Sequence, residues 1–144
     1  MKPQELIKRI DEARLVEAIV SVEARSSAEI RVCISHRRWD DVLGAARDRF
    51  RELGMDLTAD RNGVLLFFAP ATRQFAIWGD IGVHARCGPV ALQEIVDAMT
   101  PPLREGAYTE AVVLAISRVG DLLVRHFPRR PDDVNELPDA VVGD

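Results

Sequence analysis

Cysteine is scarce: Cys33 and Cys87 are the two in 144 residues, with neither Cys-x-x-Cys spacing nor the density of a disulfide scaffold. Both read as packed or idle thiols in a reducing compartment. Positive charge is not concentrated either. The net charge is −4, and no Lys/Arg stripe with interleaved aromatics runs along the chain, so the attraction that drives phosphate-backbone binding is missing. Nucleic acid is therefore not an expected partner. Arg37-Arg38 and Arg129-Arg130 each lie beside acidic residues, Asp40-Asp41 and Asp132-Asp133, and read as solvated surface. No apolar run approaches the ~20 residues that span a bilayer. Met1-Lys2-Pro3-Gln4-Glu5 also lacks the apolar core of a secretory leader, so a cytoplasmic protein without direct membrane insertion is expected.

Familiar catalytic signatures are missing too. The chain has no Gly-x-x-x-x-Gly-Lys phosphate loop, no Gly-x-Gly-x-x-Gly, no His-Glu-x-x-His, no Gly-x-Ser-x-Gly and no Asp-x-Asp-x-Asp-Gly calcium loop, which removes the common NTPase, dinucleotide, zinc-protease, hydrolase and EF-hand readings. Ser35 and His36 are adjacent in a strand, so their side chains face opposite ways and cannot form a nucleophile–base pair. His84 and Cys87 are three apart, but two soft ligands do not make a zinc site. His126, in the last turn of a helix, suits that helix's C-terminus.

What is present is the composition of a globular domain, 47% apolar and 29% charged, in a chain long enough to bury one core without staples. The reading is one α/β domain over 1–128 and an acidic, Pro-rich C-terminal tail over 129–144. A first helix is predicted from Pro3 to about Arg25, with Leu6, Ile10, Ala13, Val16 or Glu17, and Val20 on its apolar face. Residues 28–35 alternate with period two, placing Ala28, Ile30, Val32 and Ile34 on the core side of a strand. A second helix carries Val42, Leu43, Ala46, Phe50 and Leu53, capped by Asp40 or Asp41 and ended by Gly54. Val64 to Ala69 is apolar at every position, as befits a central strand covered on both faces.

Pro70 to Arg73 reverses the chain into a third strand ending at Trp78, with Cys87 in the loop beyond it. A helix with Leu92, Ile95, Val96 and Met99 follows Pro89 and ends at Pro101-Pro102. The last helix, from Tyr108 to about Phe127, carries Val112, Ala115, Ile116, Val119, Leu122 and Leu123. Gly120 within it signals either close packing or a tolerated defect. In the tail, Leu137 is a candidate docking residue. The order α-β-α-β-β-α-α makes a three-layer α/β/α sandwich: a small mixed sheet, built from a parallel crossover and an antiparallel hairpin, flanked by about four helices.

This topology brings the start of the first strand, the start of the second and the end of the third to one rim. Glu29, Asp60, Asn62 and Asp80 meet there, on strands about 4.8 Å apart. Carboxylates, an amide oxygen and loop carbonyls are the ligands Ca²⁺ or Mg²⁺ accepts, and a cation so held could orient a phosphate. The same residue types also build turns, so Asp60-Arg61-Asn62-Gly63 and Gly79-Asp80-Ile81-Gly82 read equally as chain reversals.

The order Ala28-Glu29-Ile30-Arg31-Val32, Phe50-x-x-Leu53-Gly54-Met55, Thr58-x-x-Arg61-Asn62-Gly63-Val64-Leu65 and Ile77-x-Gly79-Asp80-x-Gly82-x-His84 resembles the TPM domain family. The likeness continues through Val119-Gly120-x-Leu122-Leu123-x-x-His126-Phe127-Pro128 and Asn135-Glu136-Leu137-Pro138-Asp139. That family groups a thylakoid lumen protein, a photosystem II repair protein and a nematode receptor-associated protein. The resemblance implies an α/β/α sandwich and, for some members, a calcium site and acid phosphatase activity. It carries the family's acidic positions onto Glu29 and Asp80, with Asn62 and Gly63 forming the loop, and supplies no nucleophile. Members often carry a signal peptide or membrane helix, and neither is expected here. The resulting expectation is an accessory module for assembly or repair that binds an unidentified protein partner, with a divalent-cation site. The alternative is a Ca²⁺- or Mg²⁺-dependent acid phosphatase acting on phosphate monoesters, and a thiol redox role for Cys87 is a third reading.

Overall fold

The computed structural model describes residues 10–72, 74–131 and 141–143. Its elements are α1 (Glu12–Glu23), β1 (Ile30–Ile34), α2 (Val42–Glu52), β2 (Val64–Ala69), β3 (Gln74–Gly79), α3 (Ile81–Cys87), α4 (Ala91–Arg104), α5 (Tyr108–His126) and β4 (Val141–Gly143), with short 3₁₀ turns at Met55–Leu57 and Pro70–Thr72. The four strands lie in the order β3-β2-β1-β4. β1 runs parallel to both neighbours, and β2 and β3 form the antiparallel hairpin.

β2 is buried at all six positions, as a central strand with both faces covered must be. On one face Ile30, Val32, Ile34, Leu66 and Phe68 join Leu15, Ile19, Met99, Ile116 and Leu123 in the larger core. The opposite face places Cys33, Leu65 and Phe67 against Ala46 and Phe50 of α2 and against Met55. The sandwich of two helical layers about a mixed sheet is the expected one.

Several elements differ from expectation. α1 is described from Glu12, capped by the Asp11 carboxylate on the Arg14 N–H; the expected start at Pro3 and Leu6 lies outside the described residues. Its buried face is Leu15, Ile19 and Val22, while Val20 is exposed, so the predicted stripe is rotated from the true one. Pro101 and Pro102 lie inside α4 rather than ending it. Their carbonyls still accept from Glu105 and Ala107, and Leu103 packs on the core, so tertiary contact carries the last turn past two missing donors.

Gly54 takes φ +71° just beyond α2, the left-handed residue that ends a helix cheaply. Gly120 lies tight against α1, since a Cβ there would meet Val22 Cγ2 at 2.4 Å; close packing is the operative reason for that glycine. The stretch read as a tail contributes β4, which pairs Val141, Val142 and Gly143 with Val32, Cys33 and Ile34. Leu137 lies outside the described residues.

A candidate functional site at the sheet rim

Register places Ile30 beside Val64 and Val64 beside Gly79. One residue further out, the Val64 N–H donates to the Glu29 carbonyl at 2.8 Å and the Asp80 N–H to the Gly63 carbonyl at 3.0 Å. The backbones of Glu29, Gly63 and Asp80 therefore line one rim, in the order the topology dictates. Glu29, Asn62 and Asp80 are all buried there.

Their side chains turn to different partners. Asp80 Oδ2 accepts from Arg61 Nε at 2.6 Å, and Oδ1 accepts from Arg61 Nη2 and from the Ile81 N–H, both at 2.8 Å. A forked guanidinium and a helix N-terminus thus share one carboxylate. Asp80 is the N-cap of α3, so the segment read as a hairpin exit is the start of a helix, and Cys87 ends that helix rather than lying in a loop. Arg61 reaches Asp80 from a left-handed backbone, φ +50°, and its carbonyl accepts the Gly82 N–H at 2.9 Å. Asp60 pairs with Arg130, from the basic pair expected to be solvated. The Asn62 N–H donates to Thr58 Oγ1 and its Nδ2 to Ser27 Oγ, each at 3.3 Å.

Glu29 meets a second carboxyl, from outside the expected ligand set. Glu23, in the last turn of α1, hydrogen-bonds the Glu29 carboxyl. Its Oε2 also lies 3.5 Å from the Ile30 nitrogen. Burial, reinforced by the Glu29 hydrogen bond and charge, pushes Glu23 from the ordinary 4.5 up to about 8. Two carboxyls in contact cannot both ionise cheaply, so the pair keeps a proton near neutral pH. The segment after α5 crosses this corner: the Ser27 N–H donates to the Phe127 carbonyl at 2.9 Å, Ser26 bridges to Pro128, and Arg129 Nη1 donates to the Glu23 carbonyl at 2.7 Å.

Among the described residues no three His, Cys, Asp or Glu side chains gather closely enough to hold a metal ion. The four expected ligands thus divide: Asp60 and Asp80 face arginines, Asn62 faces Ser27, and Glu29 faces Glu23. His84 is exposed on α3. Burial pushes the Cys87 thiol up, away from the thiolate that redox chemistry needs.

The TPM domain profile matches residues 1–122. This chain belongs to the TPM domain family. Among solved structures, this TPM domain is similar to the NMR structure of the BA42 protein from the psychrophilic bacterium Bizionia argentinensis, with a TM-score of 0.81, 32% identity, and 90% of each chain covered. No curated protein matches it. No helix among the described residues of the TPM domain is long and apolar enough to cross a membrane.

Proposed function

We propose that this TPM domain is an accessory module for assembly or repair whose rim binds a protein partner. One observation carries the reading. Leu57 and Ile81, 79% and 63% exposed, project from the two elements that border the loop 58–62, while that loop's Asp60, together with Asp80, is already engaged by arginines. Exposed aliphatic residues on either side of a loop whose carboxylate is already paired suit contact with a protein surface better than chemistry. Free thiols at Cys33 and Cys87 support a cytoplasmic setting. In affinity capture from cells, Leu57→Glu with Ile81→Glu is expected to lose partners that the unaltered domain retains. An unchanged set of captured proteins rejects the rim as the contact surface.

A second reading, a Ca²⁺- or Mg²⁺-dependent phosphatase on phosphate monoesters, is favoured by the carboxyl pair. Glu23 and Glu29 have the donor chemistry to exchange their shared proton for a hard cation, whereas Asp60 and Asp80 are committed elsewhere. Bound there, the cation would supply charge for a phosphate oxygen. At pH 8, excess Mg²⁺ or Ca²⁺ is then expected to raise the melting temperature of the unaltered chain and to leave Glu29→Gln unmoved. Equal melting with and without metal in both proteins removes the cation. Hydrolysis of p-nitrophenyl phosphate that survives Glu29→Gln places the catalyst elsewhere.

A further inference from the structure

Away from the rim, the direction of the peptide groups along β1 is fixed by its bonds to β2. The Val64 N–H donates to the Glu29 carbonyl and the Ser35 N–H donates to the Phe68 carbonyl. Peptide groups of a parallel strand alternate between its two edges, so those of Arg31 and Cys33 face β2 while those of Ile30, Val32 and Ile34 face the other way. β4 covers that second edge in parallel register over Val32 to Ile34. Its side chains also alternate, Val141 packing on the larger core and Val142 on the smaller one with Cys33.

The far end of this seat is held by α2. Arg49 Nη2 donates to the Gly143 carbonyl at 2.6 Å, the guanidinium also meets the Cys33 thiol, and no oxygen or nitrogen acceptor reaches its buried Nε. The fit is incomplete. Val141 and Val142 are half-buried and Gly143 is exposed, and a cavity of about 170 Å³ remains between β4 and Ile10, Glu12 and Ile34. Three residues at a sheet edge form a weakly held element of the kind that opens without global unfolding.

We propose that this edge of β1 is a strand-docking site, held in cis by Val141–Gly143 and open in trans to an extended segment of another protein. The segment runs parallel to β1 and presents two β-branched apolar residues followed by a small one. Addition of a strand supplies backbone bonds for affinity and alternate side-chain seats for specificity. A second copy of this chain would bring the same valines, leave the same cavity and leave Arg49 Nε unmet. A foreign strand with isoleucine at the first seat extends one methylene further into the space than valine does, and its own acceptor can reach Arg49. The cis segment competes at an effective concentration of order millimolar, so it sets a threshold that a partner must exceed. This surface is distinct from the Leu57–Ile81 rim, and either assignment stands if the other fails.

The test uses the full chain with Cys87→Ser, which leaves Cys33 as its thiol, and a fluorescent peptide, acetyl-Asp-Ala-Ile-Val-Gly-Asp-amide. Val141→Asp with Val142→Asp is expected to speed alkylation of the buried Cys33 by on the order of tenfold or more. The peptide is expected to reverse that gain and to bind the double variant at least about tenfold tighter than the intact chain, where β4 competes. Failure to bind the double variant, or equal binding to both proteins, overturns the proposal. Hydrogen exchange on the unaltered chain decides independently of folding in the variant. Val32 and Ile34 amides are expected to exchange on the order of 100-fold faster than those of Arg31 and Cys33. Equal protection of all four would show that β4 is no separable element and would also overturn it.

Discussion

Asp80 and Glu29 stand on the same rim, both buried, separated by one strand, and their charges are managed in opposite ways. Asp80 has a forked arginine and a helix N-terminus, so its negative charge is compensated by groups of the chain itself. Glu29 faces another carboxyl, and the Glu23 proton does the compensating. The first arrangement is complete within the fold. The second depends on solution conditions, because a proton is exchangeable, and so is the cation that could take its place. The responsive part of this rim is therefore the corner between α1 and β1 rather than the more conspicuous Gly-Asp-x-Gly turn.

Asp80→Ala should give the largest effect, a loss of about 2–4 kcal/mol in urea unfolding at pH 7, combining a lost N-cap with lost hydrogen bonds to a buried charge. A loss under about 1 kcal/mol would show that Asp80 is not the fixed point of the rim. Glu23→Gln acts through pH. The folded chain holds the Glu23 proton up to about 8, whereas the unfolded chain releases it near its ordinary 4.5. Stability from that proton is complete below the lower value and is lost as pH rises through the higher one. After discounting for partial exposure, the unaltered protein should lose about 1–3 kcal/mol between pH 5 and pH 8.5, and Glu23→Gln should flatten the curve. Parallel curves for the two proteins would break the contrast with Asp80. Asp60→Asn should move stability least, by roughly 0.5 kcal/mol or less, because the Arg130 side chain is 55% exposed and solvent screens the pair. A larger loss on melting would make the Arg130 contact a third fixed point.

The rim was legible in the sequence because it follows from coarse rules. A β-α-β crossover makes β1 and β2 parallel, a tight turn makes β3 antiparallel, and the ends then coincide without any knowledge of side chains. What each carboxylate faces was not legible. Arg130 comes from 70 positions beyond Asp60, and a long guanidinium stem gives no periodic signal. Glu23 was within reach. In α1 apolar residues occur on two adjacent stripes, and the one through Ala13 and Val20 competes in the sequence with the buried one through Leu15, Ile19 and Val22. The correct stripe puts Glu23 four residues after Ile19, a carboxyl continuing a buried face, which is the signal that could have found it. α3 is hidden because Gly82 stands in its first turn, and an Asp cap beside glycines has the same residue types as a chain reversal. β4 is too short for any period to show.

Gly82 has a mechanical consequence. A Cβ at that position would lie 2.4 Å from the Asp60 carbonyl oxygen and 2.6 Å from that of Arg61, so backbone rests directly on backbone, with no side chain between to cushion or slide. The loop 58–62 and the helix Ile81–Cys87 consequently share a seam that only glycine allows: any side chain at 82 must prise the two apart, and Val83, seated in the larger core, holds the helix side of that seam in place.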